Sequence, residues 1–423
     1  MTIARSLWGI SLAAMVVAGS AAAQTPEPVP APATSAAPAT PPRGEVVFTP
    51  DAKRAYDYRN GDQRRAISSS RQVRHGSALW ALPAGTPVDV SYDYKGVTSD
   101  IEGFMARNTA VGMIAIKGGR VVLERYRLGN RAETQWSVQS DSKSVTSTLV
   151  GAAIRDGAIH SVTDLVTRYI PELAGSAYDG VTVRDLLQMS SGIDLHDDYV
   201  NPESDYAKLQ KAYTDSDPKA VVKFLATLRR AAPPGTKFSY SGSDTYLLGL
   251  IVRRTTGKSL AAYLSEKIWA PAGMEFDATW ALDAGGQELA AGGLRVTLRD
   301  MARFGLIALA EGKVKGKKIV PDDWFANATR VAAGDRLAPG VLQGYEPMGY
   351  GYQWWTMPCG GGSNPIGGNG AFAAMGVFGQ QVFIMPKEDM VVVIQSAWEK
   401  PMELDRVNDS CALVSTLIQK LRH

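Results

Sequence analysis

The run VGMIAIKGGRVVLERYRLG, residues 111–129, places two apolar, β-branched stretches on either side of Lys117-Gly118-Gly119-Arg120. That pattern predicts two strands joined by a tight turn, because a glycine pair supplies the backbone freedom a hairpin needs. Near the other end, QQVFIMPKEDMVVVIQSA repeats it around Pro386-Lys387-Glu388-Asp389, and the amphipathic LDRVNDSCALVSTLIQKL predicts a closing helix. Between these ends the apolar positions recur with helical spacing. Helices are expected over Ser142–Arg155, Leu165–Tyr169, Val183–Gln188, Pro218–Arg230, Thr245–Arg254, Leu260–Trp269 and Leu298–Leu309. Strands at both ends with helices between them imply the α/β (α+β) class: an antiparallel sheet flanked by helices, with a largely helical insert over about residues 158–300.

The first residues, MTIARSLWGISLAAMVVAGSAAAQ, set Arg5 before an apolar run from Leu7 to Ala18 and small residues at Ala21 and Ala23. This is the pattern of a cleavable signal peptide, residues 1–23, and the apolar run is shorter than the roughly 20 residues that span a bilayer. The expectation is a periplasmic or secreted protein with no stable membrane span after cleavage. The Pro- and Ala-rich segment 24–43 lacks the large apolar residues a core requires and reads as a tether, leaving 44–423 as the folded domain. With 45% hydrophobic residues in 423, that domain can bury a large core. A formal net charge of +3, with Lys and Arg scattered, argues against a nucleic-acid partner. Of the two cysteines, Cys359 lies in TMPCGGGSNP and Cys411 in the closing helix; an oxidising compartment makes a disulfide between them possible, and the sequence leaves the pairing open.

Chemistry concentrates in WSVQSDSKSVTSTLV, residues 136–150. Ser140 and Lys143 are three apart, so on a helix both side chains share a face and hydroxyl and amine can touch. Unpaired N–H groups at a helix start favour an oxyanion and the loss of a proton from a neighbouring amine, which would activate the hydroxyl. The plainer reading is a helix cap beside a solvated lysine. The small, apolar continuation VTSTLVGAAIRDGAI argues that this helix is buried, so the lysine does not enter an idle surface. Ser216-Asp217-Pro218-Lys219 has the same spacing, but its proline suits the first turn of a helix and it reads as capping only. Ser142, Ser144 and Ser147 are expected to pack closely or bond backbone carbonyls. Tyr240, in FSYSGSD just before the apolar TYLLGLIVRR, sits on a loop at a helix mouth, where a phenol can shuttle a proton or simply be a half-buried aromatic.

These stretches resemble the class C β-lactamase-like, penicillin-recognising serine hydrolases. SDSK, then SVTDLVTRYIPELAGSAYDGVTVRDLLQMSSGIDL, PPGTKFSYSGSDTYLLGLI and AAGGLRVTLRDMARFG occur in that family's order from about Gly96 to the closing helix. SDSKS, LLQMSSGIDLHDDY and AAMGVFGQQVFIMP are most similar to the 6-aminohexanoate-dimer hydrolase group and related esterases. The resemblance implies Ser140 as nucleophile, Lys143 as its base and Tyr240 as proton shuttle, acting without a cofactor on a small ester or amide. It also implies Tyr199 on the acyl-acceptor side of the substrate, although VNPESDYAKLQ offers Tyr206 as well. Where the β-lactamases carry Lys-Thr-Gly or His-Thr-Gly, this chain has Ala374-Met375-Gly376. No cation stands there to meet a β-lactam carboxylate, but the main-chain N–H of Val377, beside Gly376, can complete an oxyanion hole with that of Ser140.

Three alternatives remain at this level. One is a β-lactamase, D-amino-acid peptidase or penicillin-binding activity, and another a non-catalytic sensor on the same fold. A Ser-His-Asp triad is the third; only His75, His160, His196 and His423 are available, and no G-x-S-x-G elbow occurs. His196, beside Asp197 and Asp198, either lines the cleft or sits in a solvated loop, and adjacent residues seldom converge on one metal ion. Tyr350-Gly351-Tyr352-Gln353-Trp354-Trp355 reads as strand core before it reads as a ligand platform.

Overall fold

The computed structural model describes residues 50–60, 69–195, 201–329, 348–356, 358–359, 366 and 370–422. The proposed leader and tether, and the residues His196, Asp197, Asp198, Tyr199 and His423, lie outside them.

Helix α1 (Pro50–Arg59) precedes β1 (Ser70–Val73), a small hairpin of β2 (Ser91–Tyr94) and β3 (Val97–Asp100), and α2 (Ile101–Arg107). Asp100 starts α2 by accepting a hydrogen bond from Gly103 N. The predicted hairpin follows as β4 (Ala110–Lys117) and β5 (Arg120–Tyr126), with Lys117 opposite Arg120 across the glycine turn. A short β6 (Trp136–Ser137) then leads into α3 (Asp141–Arg155).

The middle of the chain folds as α4 (Val166–Tyr169), α5 (Val183–Leu187), α6 (Asp205–Tyr213), α7 (Ala220–Ala226), α8 (Gly242–Thr256) and α9 (Leu260–Leu264). One π turn carries α9 into α10 (Ala270–Ala272). The helix expected over Pro218–Arg230 is shorter at both ends. Its N-cap is Lys219, with no side-chain capping bond, so the capping expected of Ser216-Asp217 is not what starts it; Asp217 accepts from Lys219 N in a local turn before the helix. At the other end Thr227 Oγ1 turns back to Phe224 O, and Arg230 leaves to bridge Ile193. Next come β7 (Ala278–Ala281), β8 (Leu294–Val296), α11 (Leu298–Leu309), the two-residue strands β9 (Lys313–Val314) and β10 (Lys317–Lys318), and α12 (Trp324–Ala328). The chain closes with β11 (Gly349–Tyr350), β12 (Trp355–Thr356), β13 (Phe372–Gly376), β14 (Gln380–Met385), β15 (Met390–Ser396) and α13 (Leu404–Leu421).

Seven strands form one antiparallel sheet in the order β11-β12-β13-β14-β15-β4-β5, so the first and last hairpins meet at the β15–β4 pair. Both faces are covered. Helix α11 lies on one face, where a Cβ on its Gly305 would come 2.6 Å from Val391 of β15. On the other face Leu413, Val414, Leu417 and Ile418 of α13 join Phe104 and Met105 of α2 and the strand residues in one buried cluster. Coverage on both sides explains why β15 is buried along its whole length and reads as an unbroken apolar run. The sequence pattern had not shown a second sheet, order β1-β7-β8-β6, which runs through the otherwise helical region and ends beside α3. Cys359 and Cys411 form a disulfide, Cα atoms 5.7 Å apart, that ties the segment after β12 to α13. Among the described residues, no helix is long and apolar enough to cross a membrane.

Candidate active site

The approach to α3 is a strand followed by a strained turn. β6 pairs with β8, and Val138 N donates to Leu294 O at 3.1 Å, which fixes the chain up to Val138. Gln139 then adopts φ +47°, a left-handed conformation that costs a non-glycine residue about 1 kcal/mol or more and is found where a fold must aim a side chain. Ser140 follows at the N-cap of α3, yet its hydroxyl makes no capping bond to the helix. It faces Lys143 instead: Lys143 Nζ donates to Ser140 Oγ at 2.9 Å and to Ala291 O at 2.8 Å. Lys143 is only 4% exposed. With a neutral amine the first contact can run in the other direction, the hydroxyl donating its proton.

The remaining hydroxyls show how so polar a helix start is buried. Ser142 Oγ donates to Gln139 O, Ser144 Oγ to Gln353 O, Thr146 Oγ1 to Ala290 O and Ser147 Oγ to Tyr352 O, all within 3.0 Å. Each bond offsets the desolvation of a buried hydroxyl, and the short side chains let α3 approach the neighbouring backbone closely.

Asp141 is the exception. It is buried, and its Oδ1 has no hydrogen-bond partner among the described residues. Burial pushes its carboxyl well above the usual range, with Lys143 opposing the shift. A carboxyl raised in this way contributes stability that is full below the ordinary carboxylate range and is lost as pH rises toward the folded-state value. Asn cannot ionise, so the melting temperature of Asp141→Asn should rise relative to that of the native protein between about pH 5 and pH 8. Differential scanning calorimetry across that range checks this; a difference independent of pH would mean that the native carboxyl does not titrate differently on folding.

Tyr240 lies on the loop just before α8, held by Ser239 N donating to Met189 O and by Ser241, which caps α8. Lys143 Nζ sits 4.9 Å from the centre of its ring. Trp355 stacks on the ring, and Tyr350 meets its edge. The aromatic run 350–355 is therefore core, and Trp355 backs the tyrosine. Within that run Gln353 takes φ +61°. Its Nε2 donates to Leu186 O and Leu187 O, its Oε1 accepts from Thr245 Oγ1, and its carbonyl accepts from Ser144, so one residue joins α5, α8 and α3. A glutamine isolated among aromatics was the only sign of this in the sequence.

β13 ends against the same turn. A Cβ on Gly376 would stand 2.7 Å from Val138 O and 3.1 Å from Gln139 Cβ, so only glycine permits this approach of strand to turn. Val377, next along, lines a cleft of about 90 Å³ with Gln139, Ser140 and Lys143. Tyr206, Leu209, Gln210 and Tyr213, one face of α6 at i, i+3, i+4 and i+7, line it too, as does the segment Leu289–Gly292. Lys143 is the only charged side chain among the described residues that line the cleft. The helix α6 is not among those expected from the sequence; its signal there is Ser204, which caps the helix, followed by that spacing. His75 and His160 stand apart, paired with Asp277 and Asp164.

A serine hydroxyl touching a buried lysine amine beside a tyrosine ring, at the end of a strand in an antiparallel fold covered by helices on both faces, defines a serine hydrolase of the amidase and esterase kind. The chain belongs to the Beta-lactamase family, whose sequence model it matches over residues 97–413. It is similar to the 6-aminohexanoate-dimer hydrolase of Paenarthrobacter ureafaciens, 34% identical over 310 residues that cover 71% of this chain and 76% of that one. Among solved structures it is similar to a Bacillus anthracis protein provisionally assigned as a 6-aminohexanoate-dimer hydrolase, with a TM-score of 0.73 and 26% identity over 87% of this chain and 95% of the other. A D-stereospecific amidohydrolase from Streptomyces sp. shares the fold at a TM-score of 0.55 and 17% identity, covering 72% of this chain and 94% of its own.

Proposed function

We propose that the protein is an exported serine hydrolase that cleaves small, uncharged esters or amides through an acyl-enzyme on Ser140. The observation that carries this reading is the 2.9 Å contact between Ser140 Oγ and the buried Lys143 Nζ. Lys143 takes the hydroxyl proton as Oγ attacks the substrate carbonyl. The oxyanion is met by the main-chain N–H groups of Ser140 and Val377, a role that needs only donors in the right place. Tyr240 passes the proton to the departing alcohol or amine, and water then releases the acyl group by the same steps in reverse order. Gly376 lets β13 come close enough for Val377 to serve, and Tyr199 is assigned to the acyl-acceptor side. No cofactor takes part in this scheme.

The choice of uncharged substrates is supported by Ala374-Met375-Gly376 and by a cleft whose described walls carry no cation except Lys143. Without a charge-assisted contact for its carboxylate, a β-lactam can still meet the serine but is poorly oriented. Short p-nitrophenyl esters or uncharged amides should therefore exceed a chromogenic cephalosporin in kcat/KM by at least about 100-fold, the equivalent of one charged hydrogen bond of about 2–3 kcal/mol. A panel of those substrates with D-amino-acid amides and linear aminohexanoate oligomers tests the proposal, and equal efficiency on the cephalosporin would return the enzyme to a β-lactamase reading. Export is supported by the signal-like pattern of residues 1–23 and by the paired cysteines. N-terminal sequencing of the protein from its native host checks it, the expected mature chain starting after Ala23.

A further inference from the structure

Tyr240 rests on a layer of side chains that the proposed chemistry does not use. Trp355 lies under its ring, centroids 5.8 Å apart and planes within 20° of parallel, while Tyr350 meets its edge at 6.0 Å. Trp355 belongs to a buried cluster with Phe238, Trp398, Val407 and Cys411, and Tyr240 and Cys359 pack against the same cluster. The phenol, its aromatic support and both disulfide sulfurs thus share one body of packed side chains.

The support has a weak local foundation. Trp355 stands on β12, a strand of two residues that pairs with two residues of β13 on one side and two of β11 on the other. So short a ladder holds position poorly by itself. The covalent tie is Cys359, four positions after Trp355, bonded to Cys411 in the middle of α13. That helix is anchored on the main sheet through Leu413, Val414 and Leu417. Neither cysteine lines the cleft. The tie therefore acts on the aromatic layer rather than on the substrate.

We propose that Trp355 and the Cys359–Cys411 disulfide form one positioning unit that holds the Tyr240 phenol beside Lys143, so that opening the disulfide slows acyl-enzyme formation in a protein that stays folded. The unit rests on the proton-transfer role proposed above for Tyr240. A dithiol opens it: dithiothreitol supplies two electrons and two protons, the disulfide becomes two thiols, and dithiothreitol closes to its cyclic disulfide. Loss of the tie lets the stacked rings shift by a fraction of a ring width. Proton transfer is sensitive to displacements of that size, which leave substrate binding nearly unchanged.

The test follows the rate at which a fluorophosphonate labels Ser140, together with kcat and KM on a p-nitrophenyl ester. The proteins compared are the native enzyme oxidised and reduced, Cys359→Ala/Cys411→Ala, Tyr240→Phe, and the triple variant. Opening the disulfide should lower labelling and kcat by at least about 10-fold, change KM by less than about 3-fold, and recover on reoxidation. In the Tyr240→Phe background the same opening should change the labelling rate by less than about 2-fold, since the group being positioned is gone. Trp355→Phe should keep most of the rate and Trp355→Ala should match the open disulfide. An unchanged rate in the reduced protein, or an equal loss with and without the Tyr240 hydroxyl, overturns the unit while leaving the role of Tyr240 intact. Full activity of Tyr240→Phe overturns that role and the unit with it. Should the cysteine variant fold poorly, the reduced native protein, with its far-ultraviolet circular dichroism unchanged, gives the same answer.

Discussion

Ser140→Ala should abolish acyl-enzyme formation and lower kcat/KM by at least about 10⁴-fold, the scale seen when the nucleophile of an acyl-transfer site is deleted. The substitution is a clean one here. Ser140 makes no capping bond to α3, so the change removes only the contact with Lys143 and should cost at most about 1 kcal/mol of stability. The melting temperature should move by no more than about 2–4 °C. Intact-protein mass spectrometry reads the result directly: the native protein gains the mass of one phosphonyl group from a fluorophosphonate and the variant gains none. Labelling of Ser140→Ala at the native rate would move the nucleophile elsewhere.

The second large effect is joint. Lys143→Ala and Tyr240→Phe should each slow acylation by about 10²- to 10⁴-fold, because in the proposed scheme each removes a group that carries the proton between hydroxyl and leaving group. Lys143 Nζ bridges Ser140 Oγ and Ala291 O while lying over the Tyr240 ring, so the three groups form one unit. Removing both should therefore cost far less than the product of the single losses. Single-turnover acylation of the four proteins measures the coupling, and losses that simply multiply would separate Tyr240 from the proton path. Lys143→Ala also leaves the Ala291 carbonyl without this donor, so about 1–3 kcal/mol of stability should go with the rate.

Much of this site was legible because its parts are local. Ser140 and Lys143 share a helix face by spacing alone, and the apolar continuation of α3 is what distinguishes them from Ser216 and Lys219, where Asp217 only closes a local turn onto Lys219 N. The hairpins at 111–126 and 380–396 were readable because each strand is several residues of one character around a turn. The second sheet was not. Its strands are two to four residues long and come from 70–73, 136–137, 278–281 and 294–296, so no window of sequence holds enough alternation to reveal a partner. α6 is hard to see in the sequence because its cleft-lining residues mix tyrosine, leucine and glutamine, which apolar periodicity does not register. Gln353 acts through three helices that are distant in sequence, and no local rule gives a buried amide such a role. Tyr199, assigned by resemblance, lies outside the described residues, whereas Tyr206, the other tyrosine the sequence offered, lines the cleft.

The pairing of β15 with β4 sets the order in which the protein can be made. Residues 390–396 must find residues 110–117, and β4 is an interior strand whose other neighbour is β5. Until the last part of the chain has been synthesised, β4 and β5 form a two-stranded ribbon whose β4 edge lacks its partner, and the layer that covers it on the α13 side does not exist. Contacts separated by most of the chain form slowly, because a large loop must close before any pairing energy returns. A chain built this way completes its main sheet only once its last strand is available. Until then the β4 edge is the segment most open to wrong pairing.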